Sequence, residues 1–116
     1  MDYKPTLCLD FDGVLHSYTT PWEGASFIAD PPVPGAREFV LQALPHFEVV
    51  VFSSRSHQSG GINAMQRWLD KYEFPLVKFP TIKPAAFLTI DDRALNFDGT
   101  WPDVSKLLEF KPWNKK

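Results

Sequence analysis

Thr6-Leu7-Cys8-Leu9-Asp10-Phe11-Asp12-Gly13 is the stretch on which the fold of this chain turns. Thr6 to Asp10 is short and apolar and ends in carboxylate, the pattern of a strand buried on both faces of a parallel sheet. If the strand continued regularly, period-2 alternation would aim Asp10 and Asp12 the same way. Gly13 then lets the backbone turn sharply.

Outward from that strand, the chain alternates apolar runs with helical periods. A proline- and aromatic-rich stretch over 16–35, with Pro21, Trp22, Phe27, Pro31, Pro32 and Pro34, has no helical period and reads as a functional loop or a flap-like hairpin. Ala36 to Leu44 is predicted as a helix with Phe39, Val40 and Ala43 as its apolar stripe, closed by Pro45. Glu48 to Phe52 is a second buried strand, rich in β-branched residues. The polar, glycine-ended loop Ser53 to Gly61 follows. A second helix from Ile62 to Tyr72 sets Ile62, Met65, Trp68, Leu69 and Tyr72 at helical spacing. Pro75 to Phe79 is a predicted third strand and Phe87 to Asp91 a fourth, again running into carboxylates. Asp103 to Phe110 is a short predicted helix, and the lysine-bearing tail (Lys106, Lys111, Lys115, Lys116) is expected to fray. Strands alternating with helices argue for an α/β fold with a doubly wound, mainly parallel sheet. Such sheets collect ligands at the carboxyl ends of their strands.

The polar residues at those ends are where chemistry is expected. Asp10 and Asp12 repel each other unless a cation or a proton lies between them, and Mg²⁺ is a natural neutraliser for oxygen ligands. Asp91 and Asp92 end another strand; if it neighbours the first, three or four carboxylates converge on one point. Ser53 ends an intervening strand and opens a loop of backbone N–H groups, a candidate anion cradle. Lys83 adds a positive charge near the acids. A divalent cation, a hydroxyl with amide donors and a lysine together suit a phosphoryl group. Ser54, Arg55 and His57 follow on the same loop, either as substrate contacts or as ordinary loop polarity. Asp98-Gly99 reads as a turn, although Asp98 also stands near enough in sequence to compete with Asp91 and Asp92 as a metal ligand.

Taken together the four segments resemble, in order, the four motifs of the haloacid dehalogenase (HAD) superfamily. Leu9-Asp10-Phe11-Asp12-Gly13-Val14-Leu15 is similar to its first motif, and Val50-Val51-Phe52-Ser53 to the apolar strand ending in Ser or Thr. Lys83 corresponds to the third motif and Ile90-Asp91-Asp92 to the acidic fourth. The resemblance implies a Mg²⁺-dependent phosphatase working through an aspartyl-phosphate. Asp10 would be the nucleophile. Asp12 would protonate the leaving oxygen and later activate water, with its backbone carbonyl on the metal. Lys83 would balance charge, Ser53 with Ser54 and Arg55 would bind the phosphorylated substrate, and Asp10, Asp12, Asp91 and Asp92 would form the metal set. An acid at Asp12 resembles the phosphatases and phosphomutases rather than the dehalogenases. The alternatives are a phosphoacceptor signalling domain of the receiver type, disfavoured because Lys83 precedes the second acidic pair, and a non-catalytic phosphate-binding domain.

The remaining arithmetic narrows the setting. The chain has 116 residues, 44% hydrophobic and 22% charged, enough for one HAD-like catalytic domain (1–116) with its own core. The intervals between motifs leave no room for a separate cap domain. The proline-rich flap at 16–35 is then the natural lid, and its deletion over Thr19 to Asp30 is expected to alter selectivity more than folding. An oligomer partner or a macromolecular substrate is the alternative lid. Twelve Lys+Arg against 14 Asp+Glu provide no basic field for indiscriminate nucleic-acid or membrane binding, so a nucleic acid is expected only as a phosphorylated substrate, alongside small molecules. The single cysteine, Cys8, excludes an intrachain disulfide and is expected as a small buried hydrophobe. With no apolar leader or membrane-length run, the expected address is cytoplasmic.

Overall fold

In the computed structural model, which describes residues 3–115, three parallel strands form a sheet in the order β2-β1-β3. β1 is Thr6–Leu9, β2 is Glu48–Val51 and β3 is Leu88–Ile90. β1 is central. It pairs Leu7 with Val49 and Leu9 with Val51 on one side, and Leu7 with Leu88 and Leu9 with Ile90 on the other. The chain is thus a small α/β protein. β1 is paired on both edges, and its apolar residues Leu7, Cys8 and Leu9 are all buried. Cys8 is buried as expected.

Two α-helices supply the second layer, α1 (Ala36–Ala43) and α2 (Gly61–Lys71). Both pack into one cluster with Leu7, Leu9, Val49 and Val51, side chains that alternation places on one face. Among the described residues no α-helix joins a second cluster, so the winding of helices over both faces is not formed there. α1 buries Ala36, Val40 and Ala43, at spacings of four and three. Phe39, expected in the stripe, is instead half exposed, because Ala36, Val40 and Ala43 set the buried face and Phe39 falls at its edge. α2 buries Ala64, Met65, Trp68 and Leu69, with Ile62 and Tyr72 packed partly against them. No helix among the described residues is long and apolar enough to cross a membrane.

Three further expectations are corrected. Pro75 to Phe79 does not form a strand. It makes a single parallel bridge, Val50 to Lys78, with Val51 N–H donating to the Lys78 carbonyl at 2.9 Å. Pro75 and Pro80 remove the donors a longer ladder would need. Asp103 to Phe110 is a 3₁₀ helix over Val104–Glu109 with no buried residue. Trp113 and Asn114 are docked rather than frayed: Trp113 Nε1 donates to the Gly13 carbonyl at 2.7 Å and Asn114 Nδ2 to the Ser17 carbonyl at 3.0 Å, while Lys116 lies outside the described residues. An indole N–H and a side-chain amide outweigh the solvation of nearby lysines when each meets a backbone carbonyl.

Candidate active site

The strand register assembles the site. Leu9 pairs with both Val51 and Ile90, so the next residues on each strand, Asp10, Phe52 and Asp91, emerge side by side. The Asp10 N–H donates to the Ile90 carbonyl at 3.0 Å, which carries the ladder one residue past β1. Asp10, Asp91 and Asp92 each bring a carboxylate oxygen within 4.8 Å of the others, a group able to hold a metal ion. Asp98 is outside this group; its carboxylate caps the Thr100 N–H at 2.9 Å, the expected turn. Asp91 accepts the Arg93 N–H at 2.8 Å. Asp92 lies over Gly13, where a Cβ would come 2.1 Å from Asp92 Oδ2. Gly13 also has φ +83°, so both the turn and the approach of Asp92 require glycine.

Burial pushes the Asp10 carboxyl up, to about 8, against a hydrogen bond from the Phe11 N–H. The charges of Asp91 and Asp92 add to the rise. Lys83, although exposed, lines a cavity of about 130 Å³ together with Asp10, Ser53 and Asp91. The short interval before Asp91 therefore suffices to bring it to the acids.

Asp12 is not a member of that triad, although it lines a cavity with Asp10 and Asp92. Its carboxylate accepts Arg55 Nε at 2.8 Å and Arg55 Nη2 at 3.0 Å, a two-pronged pair. His16 Nδ1 adds a third contact at 2.8 Å. His16 Nε2 accepts the Asp30 backbone N–H at 3.1 Å, so the ring proton sits on Nδ1 and is donated to Asp12. Burial pushes the Asp12 carboxyl up, but the hydrogen bonds from His16 and Arg55 and the Arg55 charge outweigh it, holding it below the usual carboxylate range. The carboxylates placed so that they could hold a metal ion are therefore Asp10, Asp91 and Asp92, with Asp12 held separately by Arg55 and His16.

Arg55 is buried, 1% exposed, and differs from the sequence expectation of a substrate contact. Its Nη1 donates to the carbonyls of Gly24, Ala25 and Phe27, so it ties the 16–35 segment to Asp12. That segment closes at its base through Ser17 N–H to the Pro31 carbonyl and Val33 N–H to the Leu15 carbonyl. Asp30 is buried within it, capping the N–H groups of Thr19 and Thr20, while its carbonyl receives the Trp68 indole at 2.9 Å. The segment is built into the core, so removing Thr19 to Asp30 would orphan Arg55, His16 and Trp68; the expected effect on folding is correspondingly large.

Ser53 is buried and starts a 3₁₀ turn, Ser54–His57. Its hydroxyl accepts the Arg55 N–H and its own N–H donates to Ser56 Oγ. The hydroxyl proton and the N–H of exposed Ser54 are not used by this turn. Gly61 lets α2 approach, since a Cβ there would lie 1.9 Å from the Arg55 carbonyl oxygen.

Ser53, Ser54 and Asp10 also line a second cavity of about 180 Å³, with Tyr18, Trp22 and Arg93 around its mouth. A larger depression of about 230 Å³ under α1, lined by Leu15, Val33 and Phe39 among others, carries no titratable side chain. Sequence reading assigned no role to His16, Asp30 or Tyr18, and named Trp22 only as part of the flap. Only His16, four residues after Asp12, left a local trace. No protein-family model, curated protein or solved structure matches the chain, and the chemistry of the site rests on its own geometry.

Proposed function

We propose that this chain is a Mg²⁺-dependent phosphomonoesterase of the HAD type, a capless catalytic core working through an aspartyl-phosphate on Asp10. The observation that carries the reading is the meeting of Asp10, Asp91 and Asp92 within 4.8 Å at the carboxyl ends of parallel strands, with Ser53 and Lys83 on the same cavity. Three hard carboxylate oxygens fit a small divalent cation, and the raised Asp10 carboxyl is what such an ion would relieve. Bound there, Mg²⁺ would stabilise charge developing on the transferred phosphoryl group.

An Asp10 carboxylate oxygen attacks phosphorus and the bond from phosphorus to the leaving oxygen breaks. The released alkoxide takes up a proton. Water then attacks the phosphorus of the aspartyl-phosphate, its proton passes to a base, and inorganic phosphate leaves with Asp10 restored. Ser53 offers a hydroxyl proton to a phosphoryl oxygen, and Lys83 offset the negative charge gathered around Asp10. Asp12, held ionised by Arg55 and His16, is in the state of the base that takes the proton from water. To act as the acid in the first half it must first loosen its pair with Arg55.

Phosphate release from benzyl phosphate with Mg²⁺, and its loss in EDTA, tests the reading. Asp10→Asn is expected to lower the rate by at least about a thousandfold. Hydrolysis that persists in this variant would exclude Asp10 as the nucleophile.

A further inference from the structure

Trp22 lies on the wall of the cavity that contains Asp10, Ser53 and Asp92, with Tyr18 beside it on the same segment. The Arg55 guanidinium carbon is 4.5 Å from the Trp22 ring centroid. Arg55 is itself immobilised by Asp12 and by three backbone carbonyls. One side of the indole is therefore backed by a fixed cation, while the residue as a whole is 43% exposed and lines the cavity. A large aromatic side chain half open to solvent, yet held this firmly, keeps little freedom to lose on binding. Tyr18 supports the same wall at a backbone φ of 54°, a left-handed conformation that a tyrosine adopts only when its surroundings hold it there. Its ring lies 5.9 Å from that of His16, which is pinned between Asp12 and Asp30.

The geometry points to Trp22 as the specificity-determining residue of the site, a platform on which a planar aromatic group of the phosphomonoester stacks while its phosphate lies at Asp10. This rests on the phosphatase reading for the chemistry, but the platform itself is a binding property. Flat rings gain from stacking on an indole, whereas a puckered ring of similar size gains only from area.

Benzyl phosphate and cyclohexylmethyl phosphate separate these contributions, because both are phosphates of primary alcohols and differ chiefly in ring planarity. The wild-type chain is expected to favour benzyl phosphate by about three- to tenfold in kcat/KM. The ratio should fall to near one in Trp22→Ala and be largely kept in Trp22→Phe. Calorimetric binding of both esters to Asp10→Asn with Mg²⁺ gives a readout independent of turnover, and circular dichroism of each variant checks folding. Equal kcat/KM and equal affinity for the two esters overturn the platform while leaving the phosphatase reading standing. A benzyl preference in binding without hydrolysis by the wild type supports the platform and overturns the phosphatase reading. A preference that survives Trp22→Ala in a folded chain overturns the assignment to Trp22.

Discussion

Asp10 and Asp12 stand two residues apart, yet they belong to opposite kinds of surroundings. Asp12 faces a closed network in which Arg55, His16 and Asp30 satisfy one another and bind the 16–35 segment to the core. Asp10 faces Asp91 and Asp92, an accumulation of like charge at an open strand end. One side has its partners supplied by the chain. The other gathers charge that nothing in the triad cancels. The two carboxylates are therefore not an interchangeable pair: Asp10 lies among like charges, and Asp12 is fixed by Arg55 and His16.

The comparison breaks most severely at Arg55. Arg55→Met leaves a part-buried Asp12 and three flap carbonyls without their donor, and should destabilise the fold by about 3–5 kcal/mol in urea unfolding. Arg55→Lys should recover less than half of that, because an ammonium cannot reproduce the fork. A loss below about 1 kcal/mol in Arg55→Met would mean that the closed side does not depend on this pair.

A smaller effect is expected at Gly13, which lies between the two sides. Gly13→Ala forces a Cβ against Asp92 and a non-glycine residue into φ +83°, and should destabilise by about 1–3 kcal/mol while weakening Mg²⁺ binding measured by calorimetry. Unchanged Mg²⁺ affinity in a folded Gly13→Ala chain would separate Asp92 from the metal.

Acidity distinguishes the two carboxylates by sign. Asp10 is raised from 3.8 to about 8, so across that window the folded chain holds a proton the unfolded chain has released. Its contribution makes the metal-free chain less stable as pH rises through the window. Asp12 is lowered, so its contribution is complete above the ordinary carboxylate range and is lost as pH falls through its folded value. Mg²⁺ should therefore raise the melting temperature more at pH 8 than at pH 5, and Asp10→Asn should remove the difference. The same Mg²⁺ shift at both pH values would place the ion elsewhere.

The smallest effect belongs to the contact of Trp113 with the Gly13 turn. Trp113→Phe deletes one hydrogen bond to the Gly13 carbonyl and should lower stability by about 1 kcal/mol, read from the unfolding midpoint. A midpoint unchanged within error would show that the indole adds nothing to the turn.

Much of this was legible before any coordinates. β1 and β2 follow from unbroken apolar runs, α2 from the spacing of Met65, Trp68 and Leu69, and the site's position from carboxylates at strand ends. Pro75 to Phe79 misled because its apolar content resembles a strand while the prolines at either end limit it to one bridge. Phe39 misled because hydrophobicity alone does not set the phase of a two-turn helix.

Local pattern thus determined which segments are strand or helix, and which acids stand at their ends, because period and turn chemistry act over a few residues. Only the tertiary structure decided that Arg55, 43 residues along, closes on Asp12 and that Trp113, 100 residues along, caps Gly13. Those pairings carry no periodic trace. They exist because the parallel register brings distant strand ends together, and burial there leaves each charge and carbonyl to find a partner within the fold.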